Sequence, residues 1–200
     1  MKELTVKEIE SILGYEIKIV ANKPAKQLAD ISAGETFKVG DLEFIVLKQH
    51  DNGTTSVLLK DFWKTDIFDD NSNNYADSKI RRDLNNDFYK KLKLIVGEDN
   101  IMNHQVDLVS DDGRKDYLVV LDNISLLTCD MYRKYVEIID KYRITSDWWW
   151  LATAYSTKSN GYNSFVRCVN YVGALNYSGH CGDNRGVRPF CILKSNIFVS

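Results

Sequence analysis

No apolar run in this chain is long enough to cross a membrane. Runs such as Phe44 to Leu47 and Tyr117 to Leu121 fall far short of the roughly 20 residues a spanning helix needs, so a soluble chain without membrane insertion is expected. A hydrophobic signal core is missing as well: Met1-Lys2-Glu3-Leu4-Thr5 leads straight into an amphipathic pattern, and synthesis in the cytoplasm without a signal peptide is expected. Nor is there an excess of charge of one sign. The net charge is −2, with Lys and Arg interleaved among Asp and Glu, which argues against a surface that binds nucleic acid by neutralising phosphates.

Chemical motifs are equally scarce. Cys129, Cys168, Cys181 and Cys191 are widely separated and form no C-x-x-C pair, so reduced thiols are expected, with a structural disulfide as the alternative. His50, His104 and His180 lie far from one another and at no zinc-ligand spacing, and neither a metal nor a cofactor is expected. There is no G-x-S-x-G, no phosphate-cradling glycine loop and no H-E-x-x-H, which removes local support for hydrolase, kinase and metalloprotease readings. Low-complexity linkers and internal repeats are absent, so residues 1–200 are read as a single domain.

What remains is a chain of 200 residues, 44% hydrophobic, long enough to bury a substantial core. Thr5-Val6-Lys7-Glu8 has the form of a capping box, Val6, Ile9, Ile12 and Leu13 follow at helical spacing, and Gly14 ends the helix. Period-two alternation predicts strands at Tyr15 to Ile19, within Glu35 to Val39 and within Leu42 to Lys48. Asn52-Gly53 supplies a hairpin turn before Thr55 to Lys60, and these strands are expected to form a small antiparallel sheet. Ile80, Leu84, Phe88 and Leu92 stand four apart after a cap at Asp77 or Ser78 and before Gly97, marking the main amphipathic helix. A shorter helix is predicted over Cys129 to Ile139, with Met131, Tyr135 and Ile138 on one face. Strands are expected on either side of it, at Tyr117 to Leu121 and Trp148 to Thr153. The last third reads as strand Phe165 to Tyr171, turn at Gly173, strand Ala174 to Tyr177, glycine-rich loop Ser178 to Gly186, and strand Val187 to Leu193.

Two conspicuous runs have structural readings. Asp69-Asp70-Asn71-Ser72-Asn73-Asn74 offers oxygen ligands at positions one, three and five of a calcium loop. The match fails at position six, Asn74, and at position twelve, Ile80, so a turn leading into the helix is preferred. In Trp148-Trp149-Trp150, strand parity puts Trp148 and Trp150 on one face and Trp149 on the other. At least one face is expected to be core, with a stacking platform for a sugar or base as the alternative.

The informative stretch runs from Ser159 to Gly186. It holds Tyr162, Tyr171, Tyr177, Asn163, Asn170, Asn176 and Asn184 among Gly and Ser, yet contains no Lys, Glu, Gln, Met or Trp. The composition is that of an antibody paratope, where Tyr supplies rigid contact area and Ser, Gly and Asn supply adaptable hydrogen bonds. Long, strongly hydrated Lys and Glu are depleted at interface cores. An ordinary solvent-facing hairpin is the bland alternative.

Trp149-Trp150-Leu151, Val169 to Tyr177 and the closing Gly186-Val187-Arg188-Pro189-Phe190 resemble an uncharacterised bacterial and phage family. Ile9 to Tyr15 and the Asn-rich Asn71 to Tyr75 resemble it too, so the likeness spans nearly the whole chain. That family is similar in turn to the formylglycine-generating-enzyme type of C-type-lectin-like fold, in which a closing G-[VF]-R-P is typical. The resemblance implies an α+β fold with short antiparallel strands and two principal helices. The same fold serves variable proteins of diversity-generating retroelements, where adenine-directed mutagenesis of A-A-pyrimidine codons cannot produce Lys, Glu, Gln, Met or Trp.

The resemblance thus implies a diversified ligand-binding protein, virion-associated or displayed on a host surface, that recognises a protein or glycan on a target. Contact residues are expected at Tyr162, Asn163, Ser164, Arg167, Asn170, Tyr171, Asn176, Tyr177, Ser178, His180, Asp183 and Asn184. Trp149, Leu151, Val187, Pro189 and Ile192 are expected to be scaffold, and Arg188 to be buried against a carboxylate. Two other readings stand beside this one: a copper-dependent cysteine oxidase using Cys181 and Cys191, and a structural module of a virion or cell surface that is not diversified.

Overall fold

The structure, a computed structural model, describes residues 5–14 and 26–200. Helix α1 (Val6–Leu13) begins as its sequence dictates: Glu8 N donates to Thr5 Oγ1, Thr5 N donates to Glu8 Oε2 at 2.7 Å, and Gly14 closes the helix at φ 75. Its apolar residues Ile12 and Leu13 face solvent. The strand expected at Tyr15 to Ile19 lies outside the described residues.

Strands β1 (Lys26–Gln27), β2 (Thr36–Val39), β3 (Leu42–Gln49), β4 (Thr54–Leu59) and β5 (Lys64–Asp66) follow. Then come α2 (Lys79–Asp83), a π-helical turn (Leu84–Phe88) and α3 (Tyr89–Val96), which run on as one helix. The spacing of the core residues explains the π turn. Ile80, Leu84, Phe88 and Leu92 are all fully buried, but at 3.6 residues per turn a spacing of four drifts by about 40° per step. The wider π turn takes up that drift and keeps the stripe on the core. Ser78 caps the start by accepting from Arg81 N, and Gly97 stands at the end at φ 84.

The chain continues through β6 (Ile101–Met102), β7 (His104–Val106), β8 (Val120–Asp122) and β9 (Ile124–Ser125) to α4 (Cys129–Ile139), capped by Thr128. It ends with β10 (Trp149–Ala154), β11 (Phe165–Val169), β12 (Leu175–His180), β13 (Arg185–Val187), β14 (Phe190–Lys194) and β15 (Phe198–Val199). One sheet has the order β2-β3-β4-β14-β6, with β9 also on β14, and another has the order β12-β11-β10-β13-β5. Among the described residues every pairing is antiparallel except β10 with β13. The result is a mixed α/β architecture of mostly antiparallel sheets and few helices. The sheet expected in the first third is extended by the C-terminal strand β14, which pairs with β4 from Phe190↔Leu58 to Lys194↔Thr54.

Strand parity sorts side chains into two cores. Phe44, Val46, Val57, Leu59, Trp150, Ala152, Cys191 and Leu193 join one cluster with Ile80, Leu84 and Phe88 of the long helix. Their strand neighbours Ile45, Leu47, Leu58, Trp149, Leu151 and Phe190 join the other with Tyr132 and Ile139 of α4. Strands buried on both faces read as unbroken apolar runs, which is why Phe44 to Leu47 has no polar interruption. Both faces of the tryptophan run are therefore core for Trp149 and Trp150, and Trp148 is half-buried.

One expectation is corrected. Tyr117 to Leu121 is not a continuous strand: only Val120–Asp122 pairs, with β7, while Leu118 is 75% exposed and Val119 and Leu121 also face solvent. Tyr117 is instead held out of any ladder by its hydroxyl, which donates to Asn73 Oδ1 at 2.7 Å. On α4 Met131, Tyr135 and Ile138 share a half-buried face as expected, packed against the same core cluster as the deeper Cys129, Tyr132 and Ile139, and Tyr132 meets the edge of Trp149 at 5.7 Å. Among the described residues no helix is long and apolar enough to cross a membrane.

Candidate functional site

The β11–β12 hairpin carries most of the residues singled out in the sequence. Its turn forms because Asn170 Oδ1 accepts from Val172 N and Ala174 N, Gly173 N donates to Asn170 O, and Gly173 takes φ 83, the left-handed geometry of a three-residue hairpin loop with a bulge. One residue too many on β12, between the pairs Val166↔Gly179 and Cys168↔Asn176, adds a second bulge. Val166, Cys168, Val169 and Gly179 face inward. Gly179 is obligatory there, since a Cβ would meet Trp150 Cζ3 at 2.7 Å and Val166 O at 2.9 Å.

The twelve expected contact residues separate into groups. Tyr162, Asn163, Tyr171, His180 and Asn184 are exposed, Tyr162 by 47% and Tyr171 by 53%. Ser164, Arg167, Asn170, Asn176 and Asp183 are half-buried, and several are engaged within the chain: Asn170 in its turn, Asp183 with Arg185 at 3.0 Å, Arg167 with Asp111. Tyr177 and Ser178 lie on β12, with only their backbone described. The exposed residues do not form one patch. Tyr171 sits at the hairpin turn, whereas His180 packs edge-on against Phe165 at 5.9 Å at the far end of β11, a strand that by itself spans roughly 13 Å. Near that end Tyr162 meets Tyr155 edge-on at 5.6 Å, and the Arg167 guanidinium lies 5.1 Å from the Tyr155 ring centre.

Asn73 fixes this end. It is fully buried, and its amide nitrogen lies within hydrogen-bond distance of the carbonyl oxygens of Ser156 (2.9 Å), Tyr162 (3.0 Å) and Phe165 (2.9 Å). Its Oδ1 accepts from Tyr117, and its backbone N–H donates to Asn163 O at 2.8 Å. One side chain therefore pins both ends of the 156–165 loop to the body. Asp116 accepts from Thr157 and Ser159, and Asp112 accepts from Ser156 at 2.7 Å, adding further ties.

At the start of α4 lies a cleft of about 370 Å³, lined by Asp107, Asp111, Cys129, Arg133 and Thr153 among others. Burial pushes the Asp111 carboxyl up, but hydrogen bonds from Arg133 and Arg167 outweigh it and hold the group below its ordinary range. The Cys129 thiol is pushed up to about 12 by burial, with Asp111 adding to the effect, so it is a poor nucleophile.

Other expectations meet mixed outcomes. Arg188 is fully buried, as expected, but its partner is not a carboxylate. Nε donates to Leu59 O at 3.1 Å and Nη2 to Lys60 O at 2.9 Å, and the guanidinium stacks 4.9 Å from the Trp149 ring centre. Burial pulls its pKa down to about 10. Trp149, Leu151, Val187 and Pro189 are buried scaffold, and Ile192 is half-buried. Asp69 accepts from Asn71 N and Lys79 N, so the acidic run acts as a turn and helix lead-in, and no group of three or more metal-binding side chains occurs among the described residues. All four cysteines are free and buried. Burial raises the thiol pKa of Cys181 and, far more, of Cys191.

Sequence reasoning missed Asn73, Asp111, Arg133 and Tyr155. The first was taken as one turn former among several, and the others gave no local signal because their partners are distant in the chain. No curated protein and no solved structure matches the chain. Residues 52–195, from the turn before β4 to the loop after β14, match the model described as Domain of unknown function (DUF6273), and the chain belongs to that family.

Proposed function

We propose that this protein is a recognition module of the formylglycine-generating-enzyme-like, C-type-lectin-like kind. In this reading a fixed frame presents the exposed side chains of 159–186 to a protein or glycan on a target surface. The observation that carries it is the division of labour within the β11–β12 hairpin and the loops that flank it. Val166, Cys168, Val169 and Gly179 lock its inner faces, while Tyr162, Asn163, Tyr171, His180 and Asn184 stand in solvent with no Lys, Glu, Gln, Met or Trp anywhere in the stretch. Such side chains exchange without disturbing the core, the property a diversified binding surface requires. Burial and raised thiol pKa values at Cys181 and Cys191 weigh against thiol chemistry as the alternative.

Sequencing the coding region and its flanks across a population tests the diversification. Substitutions confined to exposed codons of 159–186, beside a near-identical template repeat and a reverse-transcriptase gene, are expected. Changes spread evenly over the chain, with no such neighbours, would leave a non-diversified structural module as the better description.

A further inference from the structure

Four of the side chains that hold the 156–165 loop and the strand after it sit on one stretch, the connection between β7 and β8. Asp112 accepts from Ser156, Asp116 from Thr157 and Ser159, the Tyr117 hydroxyl from Lys158 N at 3.2 Å, and Asp111 from Arg167. A backbone tie from Asp111 N to Ala154 O at 3.0 Å runs beside them. The loop is therefore only as well placed as the β7–β8 ribbon that carries its supports.

That ribbon is a two-stranded sheet of its own, paired from His104↔Asp122 to Val106↔Val120. So short a ribbon has little stability by itself and depends on what its side chains meet. Val106 and Leu108 are buried in the core and set the cost of lifting it. His104 is 8% exposed: Nε2 lies 2.8 Å from Ser125 Oγ of β9, and the ring meets Phe190 of β14 edge-on at 5.1 Å. Its Nδ1 is buried with no hydrogen-bond partner among the described residues.

An imidazole so placed is packed as its neutral form. Burial pulls its pKa below the ordinary 6.5, and Asp122 and the Met102 carbonyl oppose this only in part. Asp122, facing it from β8, is already taken by Arg81 of α2, whose guanidinium donates to it at 2.7 to 3.0 Å. Ser125 of β9 and Phe190 of β14 are uncharged, as are Gln105 and Val106 of β7 itself, and Asp107 beyond them is exposed. Tyr75, near Asp122, keeps its hydroxyl proton because burial raises its pKa well above the ordinary tyrosine value. Asp111, where two arginines outweigh burial, and Asp112 and Asp116, bonded by hydroxyls, are all held below the ordinary carboxylate range and stay ionised in mild acid. His104 is thus the group of the ribbon that titrates first as pH falls.

We propose that the β7–β8 ribbon is an acid-released latch: protonating His104 loosens the ribbon from β9 and β14, and the 156–165 loop, losing its supports, lets go of what it holds. This rests on the recognition reading and adds control of the same surface by pH. Because the closed form binds the His104 proton more weakly than the open form, the latch is fully stabilised above about pH 6.5 and loses that stabilisation as pH falls through the lower folded value. One proton makes opening at most about tenfold easier between about pH 7.5 and 5.5.

Amide exchange of the full chain, expressed as protection factors so that the intrinsic pH dependence is removed, tests the latch without any ligand. Between those two pH values the protection of Asp111 and Tyr162 is expected to fall severalfold, and by more than that of Val57 on β4. Burial also lowers the pKa of His50, but that ring sits against Ser56 of β4, so Val57 reads its effect. His104→Gln, which keeps an amide for Ser125 and cannot titrate, should abolish the difference. If that variant folds poorly, the parent decides alone: the His104 ring, followed by NMR, should titrate below 6.5 and in step with the loss of protection. Protection that ignores pH, a fall matched by Val57, or a midpoint at or above 6.5 would overturn the proposal. Peptides from a displayed library or glycans on an array, captured at about pH 7.5, should leave the parent at about pH 5.5 and stay on His104→Gln; equal release from both would reject the link to binding. Capture of nothing at either pH would reject the recognition reading, while the exchange result still decides the latch.

Discussion

Replacing Asn73 with Ala is expected to unfasten the 156–165 loop at a calculable cost. The side chain is fully buried and serves three carbonyls and one hydroxyl. Not all of these are orphaned by its loss. Phe165 O still accepts from Tyr155 N at 2.9 Å, and the half-buried Tyr117 hydroxyl can turn to water. Ser156 O and Tyr162 O have no other donor of their own in the hydrogen bonds described above. At about 1–3 kcal/mol for each unsatisfied buried group, and with some relaxation of the loop toward solvent, a loss of roughly 2–4 kcal/mol is expected. For a domain of this size that is a fall in Tm of roughly 5–15 °C. Amides of 157–163 should gain exchange while those of β14 do not. Asn73→Asp sharpens the test, because an ionised carboxylate would face the same three carbonyls. Its pKa would be raised in the folded state, so its penalty should be largest at neutral pH and ease as pH falls toward the unfolded value near 3.9. Unchanged melting for Asn73→Ala would refute the role assigned to this amide.

Further outcomes follow from other contacts. Gly179→Ala should lower stability by about 1–3 kcal/mol in a thermal melt, because its Cβ meets Trp150 and the Val166 carbonyl, whereas Gly182→Ala, whose nearest contact is His180 Nδ1 at 3.4 Å, should be close to neutral. Arg188→Ala should cost about 2–4 kcal/mol in urea unfolding by stranding the Leu59 and Lys60 carbonyls and emptying the space beside Trp149. Burial raises the Asp66 carboxyl, but hydrogen bonds from Lys64 and Lys79 win and bring its pKa down from 3.8 to about 2. Its stabilisation is therefore fully present above the unfolded value and lost as pH falls toward 2, and Lys79→Met should shift that acid limb upward in an NMR titration. None of the four cysteines should react with a thiol reagent in the native chain, and full reactivity should appear on unfolding; prompt reaction of Cys181 would reopen the oxidase reading.

Much of the frame was legible because it depends on local rules. The capping box at Thr5 and Glu8, the stripe of Ile80, Leu84, Phe88 and Leu92, the bounds of the helix over Cys129–Ile139 and the Gly173 turn all depend on spacings of a few residues. The parity of Trp148 to Trp150 also held, although the sequence did not reveal that both faces would be core. What escaped depends on distance. Asn73 finds its carbonyls 83 to 92 positions downstream, and Asp111 finds Arg167 56 positions away, so neither leaves a local pattern. The apolar Tyr117 to Leu121 misled because hydrophobicity alone does not supply a neighbouring strand. Arg188 was placed correctly, but two backbone carbonyls and a tryptophan ring replaced the expected carboxylate. At the candidate site the exposed tyrosines and asparagines were anticipated, while the split of the set between two ends of one hairpin required the register.

The most direct test of a fixed frame carrying an exchangeable surface is one thermal melt of a variant in which Tyr162, Asn163, Tyr171, His180 and Asn184 are all replaced by Ala. Exposed substitutions typically shift stability by no more than about 0.5 kcal/mol each, so the variant should melt within roughly 10 °C of the parent. A collapse of the cooperative transition would show that these side chains hold the fold together, and the account would be wrong.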